Sequence, residues 1–443
     1  MPSPQLLNIL ELQARIDPAD LGCQMFALAG ELYPICRSIT GDGLRQTMNR
    51  LRQEIALAIH EVPSGTAVFD WTVPREWNIR DAYVKNDRGM RVIDFQKHNL
   101  HVVSYSVPVQ GKMPLQELKK HLHSLPDQPE LTPYRTSYYT ENWGFCLPHR
   151  DLLKLEDGEY EVCIDSTLQD GHLTFGEYYV RGRCADEVLI SCHSCHPSLC
   201  NDNLSGIAVA TFLAKHLSNA SPRYSYRFLF IPGTIGSITW LSLNEDRARL
   251  IKHGLVLTCV GDRGGLSYKK SRRGDAEIDR AAGHVLKHSG QQHQIVEFSP
   301  YGYDERQYCS PGFNLPVGCL MRTPHGRFPE YHTSADNLSF IDPAALADTF
   351  SRCLAIFNIL ENNRTYVNQN PKCEPQLGKR GLYGAIGGSH PKQLEFAMLW
   401  VLNLSDGNFS LLDIAERSGI EFALIAEAAR LLQSHHLIAE CST

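Results

Sequence analysis

Two histidines and a carboxylate crowd one short stretch of the chain. Cys192-His193-Ser194-Cys195-His196-Pro197 follows the apolar run Val188-Leu189-Ile190 and leads through Asn201-Asp202-Asn203-Leu204-Ser205-Gly206 into a segment where Leu204, Ile207, Val209, Phe212, Leu213 and Leu217 recur at helical spacing. The run reads as a buried strand of a parallel sheet and the segment as a helix with one apolar face, so the polar cluster falls at a strand's carboxyl end. Open α/β sheets bind ligands at that edge. Imidazole nitrogen and carboxylate oxygen together suit a borderline cation such as zinc, which keeps a position open when it is catalytic.

Three more strands are read from the pattern, and each runs into groups of the same kind. Tyr226 to Ile231 ends in Pro232-Gly233-Thr234-Ile235-Gly236-Ser237, and Leu255 to Val260 ends in Gly261-Asp262-Arg263-Gly264. Gly318 to Arg322 precedes a loop closing with Glu330-Tyr331-His332-Thr333-Ser334-Ala335-Asp336. Singly, each residue has a plainer reading: Asp202 as a helix cap, His332 as an ordinary loop histidine, Glu330 as a solvated charge. Their convergence on one sheet edge favours the metal reading. Cys192-x-x-Cys195 is a poor redox pair, since Pro197 and several polar residues separate it from the helix, and a structural zinc site would need a second cysteine pair that the sequence lacks.

The order of these motifs resembles the co-catalytic zinc aminopeptidases related to glutamate carboxypeptidase, with Tyr331 to Asp336 the closest match. More narrowly, Cys195-His196-Pro197-Ser198 with Asn201 to Gly206, Pro34-Ile35-Cys36-Arg37-Ser38-Ile39-Thr40-Gly41 and Phe69-Asp70-Trp71-Thr72-Val73-Pro74 resemble an aminopeptidase-like branch with an inserted β-rich domain and a winged-helix tail. Members of that branch often occur among polysaccharide or secondary-metabolite biosynthesis proteins, and the resemblance covers nearly the whole chain. It implies that Asp202 bridges metals, that Asp262 is a ligand of one and His332 of the other. For the remaining histidine ligand, strand alignment favours His193 and the Cys-His-Pro-Ser motif favours His196; both are kept. Cys195 stands where the zinc peptidases have an aspartate that orients the first histidine.

A larger departure is Pro232-Gly233, which replaces a Glu-Glu pair that supplies the general base and a metal ligand. One zinc ion is therefore expected, with a second site in question. Glu330, Asp304 and Glu305 become the candidate bases. Tyr303-Asp304-Glu305-Arg306-Gln307-Tyr308 resembles the substrate-facing loop of the superfamily, which makes Arg306, Gln307 and Tyr331 the expected substrate contacts. Arg306 can grip a carboxylate with two N–H groups.

The implied fold is a mostly parallel mixed α/β sheet flanked by helices, of zinc-exopeptidase type. Residues 1–67 are expected as the helical start of the catalytic domain, 68–134 as a β-rich insert, 135–372 as the catalytic domain and 373–443 as a winged helix. The 443 residues are 43% apolar, enough for a large core. A net charge of -6 gives no general basic field for nucleic acid or anionic lipid. In residues 391–443 three Lys or Arg face seven Asp or Glu, a poor balance for a DNA reader.

Fourteen cysteines without framework spacing, an N-terminus lacking a signal-peptide core and no membrane-length apolar stretch lead to the expectation of a cytoplasmic protein with reduced thiols. The expected activity is cleavage of an amide or peptide bond in a small or short peptide-like substrate, with no nucleic-acid or membrane partner and a homo-oligomer left open. The alternatives are a metal-binding scaffold that binds a metabolite or partner and, on the tail alone, a DNA-binding regulator.

Overall fold

The structure is a computed structural model that describes residues 8–382 and 392–441. Its centre is an eight-stranded sheet of β1 (Ala58–Pro63), β2 (His172–Val180), β3 (Glu187–His193), β4 (Ser225–Ile231), β5 (Ile251–Leu257), β6 (Leu266–Lys269), β7 (His293–Val296) and β8 (Val317–Met321). The spatial order is β1-β2-β4-β3-β5-β8-β6-β7. The four strands read from sequence, β4, β3, β5 and β8, are adjacent and parallel. Antiparallel pairing of β1 with β2, β2 with β4 and β6 with β8 makes the sheet mixed.

Every residue of β3, β4 and β8 is buried. That is why these strands read as continuous apolar runs rather than alternating ones. The helix α1 (Ser205–Leu217) returns from the end of β3 and is buried almost throughout. A Cβ at Gly206 would lie 2.5 Å from the Leu257 carbonyl oxygen, so this glycine lets the start of α1 sit directly on the end of β5. The Asp202 loop is thereby wedged between two strand ends.

The β-rich insert is a four-stranded antiparallel sheet in the order Arg91–Asp94, Glu76–Lys85, Glu159–Gln169, Val109–Pro114. Its long strand Glu159–Gln169 comes from beyond residue 134 and then turns into β2. Tyr160, Val162, Ile164 and Ser166 alternate inward along it.

The chain divides into two compact units, one of residues 1–276 and 292–351, the other of 277–291 and 352–443. The second contains the winged helix: helices Lys392–Leu404, Leu411–Ser418 and Phe422–Ser434, with a three-stranded sheet of Asp406–Ser410, Thr365–Asn368 and Ile438–Glu440. The middle helix opens with a reciprocal Ser410/Asp413 capping box and closes on Gly419 at φ 69°. The central wing strand, Thr365–Asn368, lies upstream of residue 373, where the sequence reading began the domain. Among the described residues, no helix is long and apolar enough to cross a membrane.

Candidate metal centre

Asp202 is the hub. It is fully buried on the loop joining β3 to α1, and both its oxygens are engaged. Oδ1 lies 2.8 Å from His193 Nε2 and accepts from the Tyr303 hydroxyl at 3.2 Å. Oδ2 lies 3.0 Å from His332 Nε2 and 3.2 Å from His196 Nδ1. Burial alone would raise this carboxyl, but the imidazoles of His196 and His193 hold it well below the ordinary range. Burial also opposes charge on both rings facing Oδ2. At His196 the Asp202 carboxylate and the neighbouring Cys195 sulfur outweigh burial and raise the pKa well; at the more open His332 burial wins and lowers it.

The loop is held from behind. Asp336, the last residue of the Tyr-His-Thr-Ser-Ala-Asp motif, accepts the Asn201 and Asp202 backbone N–H groups at 2.5 and 3.0 Å. Arg37, wholly buried in the Pro-Ile-Cys-Arg-Ser-Ile-Thr-Gly motif, donates to the His196 carbonyl at 3.1 Å and the Leu32 carbonyl at 2.6 Å. Tyr134 sets its ring edge-on to His196 and His332, with centroids 5.1 and 5.2 Å away.

The remaining expected residues separate by what they touch. His193, His196 and Asp202 offer ligand atoms that all lie within 4.8 Å of one another, and His332 joins them through Oδ2. Asp262 sits elsewhere: its oxygens accept from the Gly264 N–H, both donors of Thr323 and the Asn201 side chain, so it braces the neighbouring loop. Glu305 pairs with Lys269 at 2.8 Å, both nearly inaccessible. Asp304 accepts from the Thr234 N–H at 2.7 Å and the Ser237 hydroxyl at 2.9 Å, and burial raises its pKa. Arg306 donates to Thr234 Oγ1 at 3.0 Å. Gln307 is half-buried on the same short helix, Tyr331 stacks on His332 at 4.0 Å, and Glu330 is half-buried on the His332 loop.

Gly233 faces the cluster. A Cβ there would meet Cys195 Sγ and His193 Cβ at 3.6 Å, and the Gly233 N–H donates to Cys195 Sγ at 3.3 Å. The strained residue is its neighbour: Thr234 has φ 64° and ψ -71°, with Ile235 N–H bonded to the Gly233 carbonyl across it at 2.8 Å. This is a γ-turn of the rare, strained kind. The roles of Tyr303, Asn203, Asp336 and Arg37 were not assigned from sequence. All four stand in motifs quoted from the sequence, which was the only signal toward them.

The fold is zinc-exopeptidase-like, with the cluster at the carboxyl edge of its sheet. It matches a zinc aminopeptidase from Bacillus subtilis (TM-score 0.57, 12% identity, 76% of this chain and 94% of that one). It also matches an M28 peptidase precursor from Shewanella amazonensis (TM-score 0.55, 13% identity, 80% and 98%). The chain belongs to the family described as domain of unknown function (DUF4910), matched over residues 26–363, and a winged helix-turn-helix family matches 364–440. A Clostridium acetobutylicum protein, named for an aminopeptidase-like domain and a proposed role in polysaccharide biosynthesis, is 57% identical over 95% of this chain and 97% of its own. The crystal structure of a proposed peptidase from the same organism superposes with a TM-score of 0.92 at 55% identity, over 96% of this chain and 97% of that one.

Proposed function

We propose that the chain is a zinc-dependent hydrolase that cleaves an amide or peptide bond in a small or short peptide-like substrate. The observation that carries this is the arrangement of three imidazoles around one buried carboxylate at the carboxyl edge of a parallel sheet. That donor set suits zinc, and Asp202, His196, His332 and His193 are the residues available to hold it. When bound, zinc supplies Lewis acidity toward an amide carbonyl and acidifies water. Around it, Asp336 fixes the Asp202 backbone, Arg37 fixes the His196 loop and Tyr134 closes one side. The relative's name favours a substrate from polysaccharide biosynthesis, an aminoacylated sugar for example.

Zinc analysis of purified protein, paired with hydrolysis of aminoacyl anilides and short peptides before and after chelation, tests the reading. Zinc in the protein and chelator-sensitive cleavage are expected. A second reading, a metal-holding scaffold that binds a metabolite without turning it over, is favoured by the missing carboxylate pair at Pro232-Gly233. It predicts bound zinc with no cleavage of any amide offered.

A further inference from the structure

The buried Lys269–Glu305 pair holds one loop in place. Lys269 Nζ donates to Glu305 Oε1 at 2.8 Å and to the Tyr301 carbonyl at 2.7 Å. Gly302, at φ 157°, lies against the same pair: a Cβ there would run into Glu305 Oε1 and stand 2.8 Å from Lys269 Nζ, so glycine is what lets the chain pass. On one side of Gly302 the Tyr303 hydroxyl turns inward to Asp202 Oδ1; on the other the Tyr301 residue is left 74% exposed. An exposed ring on a backbone anchored by a buried charge is presented at a fixed place, as binding groups on loops are.

Tyr301 has a companion. The His325 ring tilts against it with centroids 5.7 Å apart and stands edge-on to Tyr303 at 5.1 Å. Its third ring neighbour, at 6.3 Å, is Tyr331, which stacks on His332, so Tyr301 and His325 lie just beyond the ring that covers His332. Among the described residues neither nitrogen of His325 makes a hydrogen bond; Nδ1 is closed off, which leaves Nε2 for a ligand. Burial lowers the His325 pKa against the pull of Glu305 and Asp202, and the ring is neutral at neutral pH. A neutral imidazole nitrogen either donates or accepts, and a hydroxyl can answer both. Lys269 is committed to Glu305 and Tyr301, so this rim presents no positive charge of its own to a peptide carboxylate. An aromatic face with its partial negative charge beside an uncommitted neutral nitrogen suits a ring that has polarised C–H groups and hydroxyls.

We propose that Tyr301 and His325 form the subsite for a sugar ring, with Tyr301 stacking on its C–H face and His325 Nε2 hydrogen-bonding one of its hydroxyls, in a substrate whose amide reaches His332. The inference rests on the hydrolase reading above and deepens it by naming the substrate class, a sugar that carries an aminoacyl amide.

The test is an NMR titration of the full-length protein with N-glycylglucosamine, N-glycylgalactosamine, glycylphenylalaninamide and glycinamide. Early spectra give the dissociation constants and later ones report whether each amide is cleaved. At least one sugar amide should bind roughly tenfold tighter than glycinamide. Tyr301→Ala should remove that advantage and Tyr301→Phe, which keeps the ring, should retain it; His325→Phe, which keeps a ring but no nitrogen, should lose part of it. Sugar amides that bind no tighter than glycinamide, an equal or larger advantage for glycylphenylalaninamide, or a sugar advantage that survives in Tyr301→Ala would each overturn the subsite. Sugar binding without cleavage would sustain the subsite and overturn the hydrolase reading, whereas cleavage by a chain indifferent to the sugars would do the reverse.

Discussion

Glu330 differs from the two other candidate bases in being partly accessible. Asp304 and Glu305 are 2% and 1% exposed; one oxygen of Asp304 accepts from Thr234 and Ser237, one of Glu305 pairs with Lys269, and the second oxygen of each is closed off from solvent. If hydrolysis uses a carboxylate base, Glu330→Gln should lower kcat by about 10²–10⁴-fold with zinc content unchanged. Steady-state kinetics with metal analysis of the same sample checks this. Asp202 and His332 were legible in the sequence because each stands in a motif whose order along the chain is itself a signal. Tyr303 and Asn203 were not, because a phenol or an amide acquires its meaning from which oxygen or ring nitrogen it faces across the fold. Asp262 is a strand-end carboxylate whose oxygens accept four N–H and O–H groups, partners that its place in the sequence does not reveal.

At the scale of elements, the buried parallel strands were readable as uninterrupted apolar runs. The insert was readable only as β texture, since alternation marks Glu159–Gln169 as a strand without saying that it pairs with Glu76–Lys85. Two loops give predictions. Gly233 has an ordinary φ and room for a methyl group, so Gly233→Ala should hold or raise stability by about 0.4–1 kcal/mol. Gly41, at φ 98° and with a virtual Cβ 2.1 Å from the Trp77 carbonyl oxygen, should lose well over 1 kcal/mol on the same change. Denaturant midpoints of the two variants compare them directly.

A further prediction concerns pH. Arg45 grips Glu76 with N–H bonds of 2.8 and 2.7 Å, and the His172 N–H adds a third at 2.8 Å. The Arg45 bonds, working against burial, lower the Glu76 pKa from 4.5 to about 2. A depressed carboxyl stabilises the fold fully above its unfolded pKa and loses that contribution as pH falls through the folded value. Glu76→Gln should therefore cost about 1.5–3 kcal/mol at neutral pH, with the gap to wild type closing between pH 4.5 and 2. Thermal melts of both proteins across that range decide it.

For the whole molecule, the acidic winged helix bears on what the chain meets. Its Phe422–Ser434 helix carries Glu427 against Arg430, with Glu421 just ahead of it. Duplex DNA should show no tight binding whose affinity falls steeply with salt; fluorescence anisotropy at two salt concentrations would reveal it. Because Thr365–Asn368 is the wing's central strand, truncation at 373 would strip both its partners and bare two edges, whereas a cut ahead of 364 would remove the sheet intact.

The described cysteines are all unbridged, and of the fourteen only Cys23 and Cys373 are exposed. One falls in each compact unit. A maleimide dye pair added to the native protein without mutagenesis would therefore settle chiefly on these two thiols. Energy transfer between the dyes would then give a ruler for whether substrate, metal or salt changes the distance from one unit to the other.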